Sequence, residues 1–229
     1  MWTTATTVLT TPLLPETLRF HAHGDAKKLY AMNQVYWVLV GSAVNWGVLL
    51  SYFLLPRLYS FWTGDAVELD NALLCLLLAS VVVTNVGAIM SLHLNAINSL
   101  RLIVGASAVR CLFGLGGGLM GYEQLGLASF GVGILSGELI TLFLTSYVFN
   151  KYELVNRGVK VDVISFIPLS LGAGSVLIFL IGQGFNWLPA QWSWIIAATG
   201  VLVASGWGWR RLDHDMRTRL LILVTSRLK

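Results

Sequence analysis

Two ionisable side chains lie deep inside apolar stretches of the sequence. Arg110 falls within the apolar run 101–120, and Glu138 falls within the run 124–149. A charged residue near the middle of a bilayer costs at least about 3 kcal/mol on insertion scales, and it is usually paired or functional. Counted from a hairpin turn predicted near residue 122, Arg110 lies about 18 Å deep and Glu138 about 24 Å deep, at about 1.5 Å per residue. Long side chains can bridge this offset of about 6 Å, so the two residues could pair and fix two helices together. Alternatively, Arg110 binds an anionic substrate group in a wet cavity, and Glu138 is its structural or coupling partner.

The C-terminal segment contains an acid-x-acid motif, Asp213-His214-Asp215, of the kind that holds a divalent cation in many sugar-nucleotide transferases. Arginines surround it, and a solvated amphipathic tail with charge pairs at helical spacing explains the same residues. The histidines His21, His23 and His93 have no cysteine or further histidine beside them to complete a metal site. We therefore predict no catalytic residue, no metal site, no cofactor and no enzymatic activity.

Glycines recur along two consecutive apolar runs. The spacing Gly116-x-Gly118-x-x-Gly121 matches the dinucleotide fingerprint, but that motif requires a preceding strand and a following soluble helix. Small residues four apart instead let membrane helices approach closely, and both runs carry such a pair: Gly114 with Gly118, and Gly133 with Gly137. In other runs, Asn45 and Asn85 are predicted to form hydrogen bonds between helices rather than to line a path.

The composition of the chain is that of a polytopic membrane protein. Of 229 residues, 56% are apolar and 11% are charged, with a mean hydropathy of +0.73, whereas soluble domains carry about 25% charged residues. Six long apolar runs must be helices, because lipid offers the backbone no hydrogen-bond partners. They leave no room for a soluble catalytic domain. We predict an all-α membrane helix bundle with six transmembrane helices at 33–56, 71–93, 101–120, 124–149, 162–184 and 189–209.

The basic residues indicate topology rather than nucleic-acid binding. The net charge is +4, but the fifteen Lys and Arg residues form no aromatic-interleaved patch. Thirteen of them lie in one alternating set of loops and tails, Arg57 alone lies in the opposite set, and Arg110 lies within a span. Because short basic loops stay in the cytoplasm, we predict a cytoplasmic-membrane protein with a cytoplasmic basic tail at 210–229. An aromatic belt is predicted from six tryptophans near span ends: Trp37, Trp62, Trp187, Trp192, Trp207 and Trp209.

Residues 1–15 are apolar but too short to cross a bilayer unaided, and they include six threonines and two prolines. We predict that they form the last half of a transmembrane helix, so that a partial helix precedes the six full spans. The alternative is a secretory signal peptide. It should begin with basic residues, and the first basic residue here is Arg19.

Four short stretches between residue 10 and about residue 150 share a pattern with a family of membrane carriers. The first stretch is 10–29, and the residues in it that match the family pattern are Pro15, Ala22, Gly24, Asp25, Lys28 and Leu29. The others are a tryptophan-glycine stretch in the first outer loop at 61–64, a turn between paired helices at 121–128, and a loop with Asn95, Asn98 and Arg101. In order and spacing they resemble polysaccharide and O-antigen flippases of the Wzx/PST type, in the MATE-like flippase superfamily. In that family a helix ends in a proline, crosses a small-residue Gly-Asp loop and enters the next helix through a basic and apolar stretch.

The resemblance implies a carrier that moves a polyprenyl-pyrophosphate-linked oligosaccharide from the cytoplasmic to the outer leaflet during cell-surface polysaccharide synthesis. Two helical lobes would alternate around a cavity that offers cations to the pyrophosphate and shields the sugars from lipid. A complete family member has roughly twice as many spans, and this chain resembles its C-terminal half. We expect the partners to be the lipid-linked oligosaccharide and membrane lipids, with no nucleic acid. We also expect that transport requires the missing N-terminal lobe or a second copy of the chain.

Three other functions remain open. A multidrug or cation-coupled exporter of the same superfamily would need acidic coupling residues in its membrane core, and only Glu138 lies deep enough. A membrane-embedded glycosyl or acyl transferase would need acids or a His-Asp pair at a membrane surface, for which 213–215 is the nearest approach. A non-catalytic membrane scaffold would need neither feature.

Overall fold

The computed structural model describes residues 14–96, 99–154, 167–187 and 189–212, and within these ranges the regular structure is entirely helical. The first three helices are α1 (Leu14–Ala22), α2 (Ala26–Tyr36, a π-helical turn at Trp37–Gly41, then Ser42–Thr63) and α3 (Asn71–Ala96). The next two are α4 (Leu100–Cys111, a π-helical turn at Leu112–Gly116, then Gly117–Leu125) and α5 (Ala128–Val148, then π-helical Phe149–Leu154). The last two are α6 (Ile167–Gly184) and α7 (Ala190–Arg211).

Four of these helices, α2 to α5, are long and apolar enough to cross a membrane. Within α6, Leu169–Gly184 is a shorter apolar helix. The predicted all-α class is therefore confirmed, and six long helices lie where the six apolar runs were found. Length and composition establish four potential spans and do not confirm the predicted count of six. The predicted half-span at 1–15 and the start of the fifth predicted span at 162–166 fall largely or wholly outside the described residues.

The ends of several helices differ from the prediction, because a helix continues through polar residues until its backbone is interrupted. α2 reaches Thr63, so that Phe61 and Trp62 belong to its last turn rather than to an outer loop. Gly64 ends it with a left-handed backbone, φ +59°, and its N–H is bonded to the Ser60 carbonyl. In the same way, α7 includes Arg210 and Arg211, which were predicted to begin the tail.

The turn into α2 also corrects the predicted pattern. Pro15 lies in the first turn of α1, which ends at Ala22 rather than at the proline. Gly24 then adopts φ +69°, a conformation that favours glycine. Asp25 caps α2 by accepting the Lys28 backbone N–H at 3.1 Å and pairing with its ammonium at 2.7 Å. The side-chain and backbone hydrogen bonds from Lys28 lower the pKa of Asp25.

α3 occupies the centre of the bundle, with α5 packed along it and α2 and α6 beside them, while α7 packs on α6. Trp37 lies in this core, where its indole Nε1 donates to the Val86 carbonyl at 3.2 Å, so its predicted place in an aromatic belt is wrong. The exposed tryptophans Trp62, Trp187 and Trp192 do lie at helix ends. α4 packs mainly on α5 and leaves most of its surface uncovered.

Candidate functional site

Arg110 and Glu138 face each other across the α4–α5 hairpin. The Nε of Arg110 lies 3.1 Å from the Oε1 of Glu138, which is an ion-pair distance. The Nε–H forms no aligned hydrogen bond among the described residues, so this contact is one between charges. The side chain of Arg110 keeps 38% of its surface exposed, and that of Glu138 keeps 14%. The cation therefore reaches the surface of the bundle, and the carboxylate lies behind it.

Glycines allow the two helices to bring this pair together. A Cβ built on Gly137, the neighbour of Glu138, would lie 3.2 Å from the Arg110 Cα, and one built on Gly133 would meet the Phe113 carbonyl oxygen. The predicted close packing of small-residue faces is therefore confirmed. The π-helical turn Leu112–Gly116 begins just after Arg110, and such turns are frequent at functional sites.

The depth of the pair differs from the prediction. The residues 121–125 are helical, and the hairpin turn lies at Gly126 and Leu127 rather than near residue 122. Arg110 is therefore about 24 Å from the turn and Glu138 about 17 Å, at about 1.5 Å per residue. The predicted order had Glu138 as the deeper residue. Both distances are shorter than the thickness of a hydrocarbon layer, which is about 30 Å.

Two grooves meet at Arg110. One, of about 60 Å³, lies between α3, α4 and α5 and is lined by the hydroxyl side chains of Ser91, Ser107 and Thr145. The other, of about 290 Å³, runs along α4 and α5 past Glu138. A guanidinium has five N–H donors, which is more than one carboxylate uses. Arg110 therefore has donors to offer to a second anion, and arginine matches phosphate groups well.

Within the part of the chain that the structure describes, the other motifs do not assemble into a site. The rings of His21 and His93 come together with centroids 5.0 Å apart, and His93 also contacts Phe149 at 5.2 Å, a cluster that sequence reasoning missed. Among the described residues, no three His, Cys, Asp or Glu side chains are grouped as metal ligands. The motif at 213–215 lies outside the described residues. The glycines at 116, 118 and 121 lie within helix α4, which does not provide the strand-to-helix loop that a dinucleotide needs.

The two mid-span asparagines have different surroundings. Asn85 accepts a hydrogen bond from the Tyr36 hydroxyl at 3.2 Å, which joins α3 to α2 as predicted. Asn45 lines a cleft between α2, α6 and α7, and no hydrogen bond joins its side chain to another described residue. Sequence reasoning missed this cleft. The one indication in the sequence is that Gln34, Ser42 and Asn45 fall on one face of a largely apolar helix.

Comparison with known proteins finds no family model, curated protein or solved structure that is significantly similar to the chain. The function is therefore argued from the geometry and chemistry of the site, as a fold alone does not determine an activity.

Proposed function

We propose that this protein is the C-terminal lobe of a flippase for lipid-linked oligosaccharides. Its substrate would be a polyprenyl-pyrophosphate glycan that crosses the cytoplasmic membrane during cell-surface polysaccharide synthesis. In this proposal all six long helices span the membrane, and the C-terminal end of α7 faces the cytoplasm, as the distribution of basic residues favours. Arg110 contacts the pyrophosphate, and a second lobe or copy completes the cavity.

The observation that carries this proposal is the unequal exposure of the Arg110–Glu138 pair. Arg110 is 38% exposed and Glu138 is 14% exposed, although both lie far from the ends of their helices. The carboxylate compensates the charge of the arginine and orients it, which lowers the cost of keeping a cation at this depth. A pyrophosphate approaching along the groove between α3, α4 and α5, which Glu138 does not line, would meet the guanidinium without passing the carboxylate.

The same geometry disfavours cation coupling. A coupling carboxylate must bind and release a proton or metal cation, whereas Glu138 is mostly covered and its Oε1 lies 3.1 Å from the Arg110 Nε. A cation would have to displace the guanidinium to reach it.

α4 is the helix that we propose to face the second lobe. It carries Arg110, and its apolar side chains are exposed over most of its length, including Val104, Leu112, Leu115 and Leu119. In alternating access, one lobe rocks against the other around a shared site. An arginine on the most weakly covered helix is well placed to contribute to such a site.

Binding of polyprenyl pyrophosphate to the purified protein in detergent, followed by tryptophan fluorescence, tests the proposal. Polyprenol of the same chain length, which lacks the pyrophosphate, should bind more weakly. Arg110→Ala should weaken pyrophosphate binding by about 10-fold to 100-fold, because hydrogen bonds to charged groups contribute about 1.5–3 kcal/mol. Arg101→Ala, at the exposed start of the same helix, is the matched control and should bind as the native protein does. Equal binding of both lipids, or normal binding by Arg110→Ala, would contradict the proposal.

A further inference from the structure

A second site lies in the cleft between α2, α6 and α7, which shares no residue with the grooves at Arg110. Its cavity volume is about 40 Å³. Polar side chains line it from both sides: Gln34, Ser42 and Asn45 from α2, and Ser205 and Arg211 from α7. The Ser205 hydroxyl donates to the Ser42 hydroxyl at 2.8 Å across the cleft. Polar side chains between apolar helices either form hydrogen bonds across the helices or line a wet cavity.

The walls of the cleft depend on irregular backbone and on glycines. The π-helical turn of α2 supplies Trp37, Val38 and Gly41 to one wall, and π-helical turns are frequent at functional sites. On the other side, a Cβ at Gly172 of α6 would lie 3.3 Å from the Asn45 Nδ2. Glycine at this position therefore leaves room beside the amide.

Asn45 is a nearly buried amide that lines the cleft. The residue is only 5% exposed, and its amide makes no hydrogen bond to another described residue. An amide buried without a partner is strongly unfavourable in an apolar environment. A water molecule needs a cavity of about 10–15 Å³, so the cleft of about 40 Å³ has room for about three waters. Water in the cleft would therefore give the Asn45 amide hydrogen-bond partners.

The outer end of the cleft carries a cation. Arg211 is exposed in the last turn of α7, within the sequence Trp207-Gly208-Trp209-Arg210-Arg211. Tryptophans followed by arginines are typical of a helix end at the headgroup level of a bilayer, where basic residues meet anionic lipid. The cleft thus leads from a cation at this level to an amide in the interior of α2.

We propose that this cleft is a water-filled site for an anionic, phosphate-bearing headgroup. The phosphate binds Arg211, and ordered water or headgroup hydroxyl groups bind Ser42, Asn45 and Ser205. The proposal does not depend on the flippase function, because it uses a different part of the molecule. The phosphate belongs either to an anionic lipid of the surrounding leaflet or to a soluble phosphate ester.

Hydration is tested by cysteine modification in phosphatidylcholine nanodiscs, in a background in which Cys75 and Cys111 are replaced by alanine. The reagent is the water-soluble cation methanethiosulfonate ethyltrimethylammonium. Asn45→Cys should react at least about tenfold faster than Ala43→Cys, since Ala43 is exposed on the outer surface of the same helix segment. Ser205→Cys provides a second position in the cleft in case Asn45→Cys does not fold. Lack of modification at the cleft positions would overturn the proposal.

Phosphate binding is tested by protection of Asn45→Cys. Nanodiscs that contain phosphatidylglycerol should slow the modification about fivefold, although their surface charge attracts the cationic reagent. Glycerol 3-phosphate added to phosphatidylcholine nanodiscs tests the soluble source. Protection by either supports the proposal and identifies the source. Arg211→Gln should abolish the protection and Arg210→Gln, which does not line the cleft, should retain it. Absence of protection by both phosphates, or loss of it in both variants, would overturn the assignment.

Discussion

The two halves of this bundle are held together by different kinds of contact. α4 meets α5 through glycines, where Gly133 and Gly137 lie directly against the backbone of the facing helix. α2, α3 and α6 instead meet through large buried side chains, including Val48, Leu49, Leu78, Val82, Val176, Phe179 and Leu180. α7 packs on α6 partly through small residues, where Gly200 lies against Ser175. In the hairpin, backbone contacts fix the distance between the two helices. In the core, large side chains fill the volume between the helices.

This difference has a consequence for where chemistry can be placed. A glycine seam brings two backbones close without covering the side chains beside it, so Arg110 and Glu138 can meet and Arg110 can remain exposed. In the core, Tyr52, Phe179 and Trp194 pack edge to face at 5.0 and 6.1 Å and leave little free volume. We infer that the core determines stability and that the hairpin determines the position of the charged pair.

The largest effect is expected from Phe179→Ala. Phe179 is 1% exposed and contacts both Tyr52 and Trp194, so truncation leaves a cavity that its neighbours cannot fill. The expected loss of unfolding free energy is about 3–5 kcal/mol, measured by dodecyl sulfate titration in mixed micelles. Ile178→Ala, at an exposed neighbouring position, should lose less than about 1 kcal/mol. Similar losses for the two variants would show that α6 is not packed as described.

Gly133→Ala tests the seam. The added methyl group would meet the Phe113 carbonyl oxygen, which is backbone and cannot rotate away. We expect a loss of about 2–3 kcal/mol in the same titration, because the helices must separate. Gly116→Ala is the matched control, since a Cβ there has nothing within 4 Å. It should be neutral or stabilising by up to about 1 kcal/mol. A tolerated alanine at position 133 would show that the helices do not approach so closely.

Arg110→Ala should destabilise the hairpin by about 1–2 kcal/mol, less than for a fully buried pair because Arg110 is partly exposed. Removing the arginine leaves the Glu138 carboxylate uncompensated at 14% exposure. The double variant Arg110→Ala with Glu138→Gln should therefore recover part of the loss. The same titration, together with the yield of folded protein in membranes, measures both variants. If Glu138→Gln adds to the loss instead, the two charges do not stabilise each other.

The smallest effect is expected from Tyr36→Phe in the core. The change removes the hydroxyl that donates to Asn85 at 3.2 Å and leaves the ring packing unchanged. Hydrogen bonds between membrane helices contribute about 0.6 kcal/mol on average, so the expected loss is about 0.5–1 kcal/mol. Tyr122→Phe, at an exposed tyrosine of α4, should change nothing measurable. A loss equal to that of Phe179→Ala would mean that polar contacts rather than packing hold the core.

Hydropathy predicted the helical class and the approximate position of every long helix, because a buried or lipid-facing helix must be apolar over most of its length. It did not predict where the helices end. α2 continues seven residues beyond the predicted 56 to Thr63, and α4 continues to Leu125, because backbone hydrogen bonding persists until Gly64 and Gly126 adopt positive φ. The π-helical turns have no sequence pattern of their own and depend on packing against neighbouring helices.

The residues of the two sites differ in how well they could be predicted from the sequence. Arg110 and Glu138 could be selected because a charge within an apolar run is rare and unfavourable. The cleft at Asn45 could not be predicted in this way, because it is formed by three helices from distant parts of the chain. Gly172 of α6 and Ser205 of α7 line it opposite α2. Asn45 and Asn85 are the same residue type at similar positions in their spans, and only the structure shows that one has a Tyr36 hydroxyl as partner.

In the proposed membrane arrangement, the length of α2 would also make the protein responsive to membrane thickness. α2 extends over the 38 residues Ala26–Thr63, and its uncharged segment 29–56 is about 42 Å long at about 1.5 Å per residue. A hydrocarbon layer of about 30 Å covers only part of that segment, so the helix must tilt or protrude. Lys28 and Arg57 limit how far it can slide in either direction. A thicker bilayer should therefore draw α2 upright, and the cleft along its π-helical turn would change width with the tilt.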